Sequence, residues 1–297
     1  MALTIQSTKN YKPKPRFLLY APPGGAKTSL ATTCRTPGEN DILFAVTEGG
    51  IQTISHLDIP YVELRVCSDY DELVKMFKAG KRVGPGAIQV GNRIYRGIVV
   101  DLHSELVQMN LVEMVAESKA SNQERDIDDP SQYEYKKLNF RIIRQIRELR
   151  NLPLQYVGFT AYMEEDKDKQ NQIVKGRPMY VGSKIWVAVA GAVDYVFRIS
   201  EPEKPSDSMK YRTIQTQPGP IYYAKARVPG VAGNLPLPAK IRFDLGHKTL
   251  LGKIFGKVDE YIAGQRLLEP LGPEPLEIQE EVSEADSPST PNPMTTP

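Results

Sequence analysis

One short stretch of this 297-residue chain has the residue types and spacing needed to hold a chain of phosphates: Ala21, Pro22, Pro23, Gly24, Gly25, Ala26, Lys27 and Thr28, followed by Ser29. A glycine-bearing turn lets successive backbone N–H groups converge on phosphate oxygens. A lysine at its end reaches the terminal phosphates, and a hydroxyl in the next position is a hard oxygen ligand for magnesium. The ligand this chemistry implies is a nucleoside triphosphate, and the expectation is ATP with Mg2+. Residues 21–29 then surround the nucleotide, Lys27 neutralises phosphate charge and Thr28 coordinates the metal. Ala21 and Ala26 stand where such loops carry glycine, so the Cβ of Ala26 is expected to crowd the turn, while Gly24 and Gly25 keep its freedom.

Two carboxylates extend the constellation. Ile98-Val99-Val100-Asp101 is an apolar run ending in an acid, the arrangement that places a carboxylate behind a magnesium ion. Glu48, in Val46-Thr47-Glu48-Gly49-Gly50, follows another apolar run and precedes two glycines that permit a sharp turn, so it can orient an attacking water. His56, His103 and His247 are far apart and beside no cysteine or paired acid at ligand spacing, which argues against zinc and against a Ser-His-Asp arrangement.

The elements that must position these residues alternate between strand and helix patterns. Residues 17–20 read as a buried strand running into the loop, and a helix follows over 27–34. Strands follow at 42–46 and 61–66, then a helix to residue 79 opened by a capping box of Ser68 and Asp71. Gly91-Asn92 marks an inserted hairpin between 88–90 and 94–96, ahead of the strand at 97–101. Helices are expected at 103–118 and 133–150, and a buried strand at 155–160. Short strands follow at 194–199, 211–216 and 221–225, and a last helix at 249–263. This is an α/β fold with a mostly parallel central sheet.

Together the strings APPGGAKTS, TEGG, GIVVDLHSEL, YVGFTAY and YYAKAR resemble the RecA-like P-loop ATPase core, especially the small phage-encoded ATP-binding proteins of recombination and single-strand annealing. The resemblance spans residues 16–227. It implies that Glu48 activates water, that Tyr162 stands at the γ-phosphate sensor position usually held by Gln or His, and that Lys225 and Arg227 act across a subunit interface. It also implies a homo-oligomer with single-stranded DNA as a partner.

Composition sets the remaining limits. Lys and Arg total 38 against 36 Asp and Glu, a net charge of +2, so no global field selects nucleic acid or membrane. Residues 1–15 form a basic arm, 16–264 the nucleotide-binding domain, and 265–297 a Pro/Ser/Thr-rich acidic tail expected to be disordered. Cys34 and Cys67 are too few for a disulfide framework and read as buried thiols. No apolar run is long enough to span a membrane, and the expected location is the cytoplasm of a phage-infected or lysogenic bacterium. Residues 163–184 are polar and mobile in composition. Lys167, Lys169, Lys175 and Arg177 there are open to phosphate, and Tyr180 and Trp186 serve either as a stacking surface or as core aromatics. Arg141, Arg144, Arg147 and Arg150 mark a basic helix face of the kind usually left solvated. Two rivals to an ATPase remain: a nucleotide switch that does not turn over, consistent with the two alanines, and a small-molecule kinase, for which no arginine-rich lid is evident.

Overall fold

The computed structural model describes residues 14–35, 41–47, 49–121, 129–182, 184–201, 211–227 and 237–262. Its strands are β1 (Arg16–Ala21), β2 (Ile42–Val46), β3 (Tyr61–Glu63), β4 (Lys81–Arg82), β5 (Ile88–Val90), β6 (Arg93–Tyr95) and β7 (Gly97–Asp101). They continue with β8 (Tyr156–Lys167), β9 (Ile173–Pro178), β10 (Tyr195–Ser200), β11 (Tyr211–Gln215), β12 (Lys225–Ala226) and β13 (Lys240–Asp244). The helices are α1 (Lys27–Ala31), α2 (Cys67–Ala79), α3 (His103–Ser121), α4 (Gln132–Arg150), α5 (Ile185–Ala192) and α6 (Leu250–Ile262).

The main sheet runs β13-β11-β10-β1-β8-β7-β2-β3. Every neighbouring pair from β10 through β3 is parallel, whereas β11, β12 and β13 join in antiparallel pairs. The result is an α/β fold with a mostly parallel sheet. Its central strands are covered on both faces, which is why 17–20, 42–46 and 97–101 read as unbroken apolar runs. In β1, Leu18 and Tyr20 enter one core cluster while Phe17, Leu19 and Ala21 enter the other. The first cluster takes in α2, α3, α4 and α5, and the second takes in α1 and α6. At the start of β1 the buried Arg16 donates to the carbonyls of Arg150, Leu152, Leu154 and Gln155, which fixes β1 against the chain entering β8.

The structure departs from the sequence expectations at several points. Asp69, not the pair Ser68 and Asp71, caps α2: its carboxylate accepts from the N–H groups of Arg65 and Val66 at 2.7 and 3.0 Å. The helix expected over 27–34 is α helical only to Ala31, then tightens into a 3-10 turn at Thr32–Cys34. The strand expected at 61–66 ends at Glu63, and that expected at 221–225 is reduced to β12. The Gly91-Asn92 hairpin forms with Val90 opposite Arg93, and β4 adds a third strand to it.

The larger correction concerns residues 163–184, which are structured. β8 extends to Lys167 and β9 returns beside it in an antiparallel hairpin. Opposite charges across the hairpin hold it: Arg177 lies between Glu164, at 3.1 Å, and Asp166, so it is already paired. Tyr180 takes the core alternative, buried with its hydroxyl 2.9 Å from His103 Nδ1, and Trp186 packs edge-on to Tyr223. Both cysteines are buried free thiols. Residues 1–13 of the basic arm, Glu48 and the tail at 263–297 lie outside the described residues. Among the described residues, no helix is long and apolar enough to cross a membrane.

Candidate nucleotide site

The loop after β1 owes its shape to two glycines and one alanine with different requirements. Gly24 has φ +72° with open space around its α-carbon, so its need is conformational. Gly25 has a spatial need: a Cβ there would stand 2.5 Å from the Ala21 Cβ and 2.9 Å from the Pro22 carbonyl. Ala26 adopts the left-handed conformation at φ 64°, ψ 24°, which explains why a glycine is expected there. The loop therefore keeps the turn with alanine in place, and the penalty of Ala26 is backbone strain. Because α1 has only five residues before it tightens, its aligned dipole is short, and anion binding relies on the loop N–H groups and Lys27.

Lys27 is buried, with Nζ donating to the carbonyls of Ala21 at 3.3 Å and Pro22 at 3.0 Å. It also lies 4.6 Å from the centre of the Tyr162 ring. The ammonium thus rests against its own loop, at the mouth of a cavity of about 320 Å3 lined by residues 23–29, Asp101 and Tyr162 among others. One residue further on, Thr28 Oγ1 donates to Asp101 Oδ2 at 2.8 Å. The other carboxylate oxygen of Asp101 accepts from the Thr160 hydroxyl on β8. Three strands, β1, β7 and β8, therefore converge on one buried hydroxyl–carboxylate cluster at their carboxyl ends.

This donor set fits ATP with Mg2+. Thr28 and Asp101 offer hard oxygens side by side, and the cavity beside them opens onto a cation and the loop N–H groups. Among the described residues no three His, Cys, Asp or Glu side chains converge, so a bound magnesium would draw most of its oxygens from phosphate and water.

Glu48 lies outside the described residues, but both of its flanks border the cluster. The Thr47 N–H donates to the Asp101 carbonyl at 2.9 Å. A Cβ on Gly50 would stand 3.3 Å from Asp101 Oδ2 and 3.5 Å from Thr28 Oγ1. Lys225 and Arg227 are elsewhere. β12 pairs with Tyr195 and Val196 of β10, and Tyr195 lies opposite Phe17 near the start of β1, so the pair sits at the end of the sheet away from the loop. Lys225 Nζ donates to the carbonyls of Ala190 and Val193 at 2.7 and 2.6 Å, closing the carboxyl end of α5, and burial pulls its pKa down to about 8. Arg227 is 61% exposed and 3.8 Å from Asp194.

Sequence reasoning missed three contributors. Thr160 was signalled only by a hydroxyl within an apolar strand. Arg212 of β11 and Leu245 after β13 line the same cavity, yet lie far from the loop in sequence and in no motif. Arg212 brings a second cation to the nucleotide cavity from within the same chain.

Fold and site together define a P-loop nucleotide-binding domain. The chain belongs to the AAA domain family, whose model matches residues 13–228. No curated protein matches it in sequence. Among solved structures it is similar to the RadB recombinase at 12% identity and TM-score 0.40, covering 80% of this chain and 90% of that one. It is also similar to a helicase ATPase domain at 12% identity and TM-score 0.42, over 78% and 81% of the two chains. A third is the flagellar accessory protein FlaH from Methanocaldococcus jannaschii, at 8% identity and TM-score 0.39, over 77% and 84%.

Proposed function

We propose that the chain is a RecA-like ATPase that binds ATP with Mg2+ in the 21–29 loop, hydrolyses it as a homo-oligomer, and engages single-stranded DNA in phage recombination or strand annealing. The observation that carries the nucleotide part is the Thr28–Asp101 contact beneath Lys27, facing a cavity large enough for a chain of phosphates. When bound, Mg2+ supplies charge neutralisation to the phosphates. Thr28 holds the metal and Asp101 orients the Thr28 hydroxyl and the metal's waters. Lys27 leaves the loop carbonyls to pair with phosphate oxygens, and Tyr162, across from it, closes the γ-phosphate side. Glu48 accepts the proton of the attacking water.

In this reading Arg227 and Lys225 serve a neighbouring subunit, because they lie at the far end of the sheet from their own loop. Arg227 is the better suited of the two, being exposed while Lys225 is engaged with α5. Ala21 and Ala26 favour a second reading, in which the same site is a nucleotide switch without turnover. Phosphate release measured with and without single-stranded DNA separates the two. Magnesium-dependent hydrolysis accelerated by DNA is the expected result, whereas ATP binding with no hydrolysis in either condition selects the switch.

A further inference from the structure

The outward face of α4 carries a line of aromatic and basic side chains that neither the core nor the nucleotide site uses. Tyr133 is 70% exposed and Phe140 is 66% exposed, and Lys136, Arg144 and Arg147 are exposed as well. Their spacings of three and four residues place all five in one stripe about 21 Å long, at a 1.5 Å rise per residue. The apolar residues of the same helix, Leu138, Ile142, Ile146 and Leu149, are fully buried, so burial of the helix accounts for none of the exposed rings. The stripe contains no acid. Both acidic residues of α4 are engaged elsewhere, Glu134 in capping Ser131 and Glu148 with Lys78 at 3.3 Å.

Beside the amino end of the stripe lies a groove of about 550 Å3, lined by Tyr135, Lys136 and Asn139 of α4 and by Gly182, Lys184 and Ile185 at the start of α5. Its second wall is tied to the nucleotide site. The Met179 N–H donates to the Tyr162 carbonyl at 2.8 Å, and the Tyr180 hydroxyl meets His103, two residues after Asp101.

We infer that this stripe and groove form a binding track for single-stranded nucleic acid, with bases stacked on Tyr133 and Phe140 and phosphates paired with Lys136, Arg144, Arg147 and Lys184. The inference rests on the reading that the chain engages single-stranded DNA, and it names where. Cations alternating with exposed rings are what an anionic polymer with accessible base faces requires, and a duplex, whose bases are stacked inside, leaves the rings unused. A second copy placed face to face on the stripe would set its cations against the same cations.

The test uses fluorescence anisotropy of a labelled oligo(dT) on the full chain at several salt concentrations, with two variants that leave the ATP site intact. Tyr133→Ala with Phe140→Ala is expected to weaken binding at least tenfold. Lys136→Gln with Arg144→Gln and Arg147→Gln is expected to lower the slope of log affinity against log salt by about 2, at about 0.7 per phosphate contact. Both variants should keep DNA-free ATP turnover, which reports that they are folded, and lose its stimulation by DNA. Folded variants with wild-type affinity and salt slope overturn the track while leaving DNA engagement standing. Loss of self-association in sedimentation with unchanged DNA binding overturns it in favour of a subunit contact. A wild-type chain that binds no single strand removes the DNA reading itself.

Discussion

Replacing Ala26 with glycine should stabilise the protein, and the loop geometry sets the size of the effect. Ala26 sits at φ 64°, ψ 24°, where an L-residue costs about 1–2 kcal/mol relative to the right-handed region. Glycine removes that strain but enlarges the unfolded ensemble, returning about 0.5–1 kcal/mol. The net gain is therefore between zero and about 1.5 kcal/mol, a rise in Tm of roughly 1–4 °C for a domain of this size. Two companions calibrate it. Gly24→Ala enters the same kind of backbone well at φ +72° with no atom in its way and should lose about 0.5–1 kcal/mol. Gly25→Ala places a Cβ 2.5 Å from Ala21 and 2.9 Å from the Pro22 carbonyl, so the turn must open and nucleotide affinity should collapse. Differential scanning calorimetry and ATP titration on the three variants give the order. The reasoning is refuted if Ala26→Gly destabilises by more than about 1 kcal/mol, or if Gly25→Ala binds ATP as the parent does.

Asp101→Asn should cost about 10- to 100-fold in magnesium-dependent ATP affinity, the usual range for a carboxylate behind a metal ligand. Glu48→Gln should bind normally and hydrolyse about 100-fold or more slowly. Titration and phosphate release must separate these two defects. Arg227→Ala should bind ATP and hydrolyse it poorly, and mixing with excess Lys27→Ala protein should recover activity; verified mixed oligomers without recovery would defeat an intersubunit role. Burial pushes the thiol of Cys67 up to about 12 and that of Cys34 further. Each folded thiol keeps its proton where the unfolded one loses it. Their contribution to stability is full below pH 9 and declines above it, and neither should react with a thiol reagent at pH 8 until the chain unfolds.

The parallel core was readable because residues 17–20, 42–46 and 97–101 are apolar on both faces, a pattern that only a doubly covered strand sustains. Lys27, Thr28 and Asp101 could be named because their chemistry is written at motif spacing. Arg212 could not be, since it reaches the cavity through the antiparallel additions β11 and β13, whose pairing no local signal reveals. The β8–β9 hairpin escaped notice because its stability comes from cross-strand charge pairs such as Arg177 with Glu164, and in sequence these look like a solvated polar run. Lys225 and Arg227 were readable as a cationic pair. That Lys225 turns to the carbonyls ending α5 depends on a tertiary contact between residues 35 positions apart.

The central claim is that the loop of residues 21–29 holds the triphosphate through Lys27. Calorimetric titration of ATP with Mg2+ into the wild-type and Lys27→Ala proteins tests it most directly. Losing a hydrogen bond to charged phosphate, at about 1.5–3 kcal/mol, predicts a Kd raised roughly 10- to 150-fold in a variant that remains folded. An unchanged Kd would place the nucleotide somewhere other than this loop.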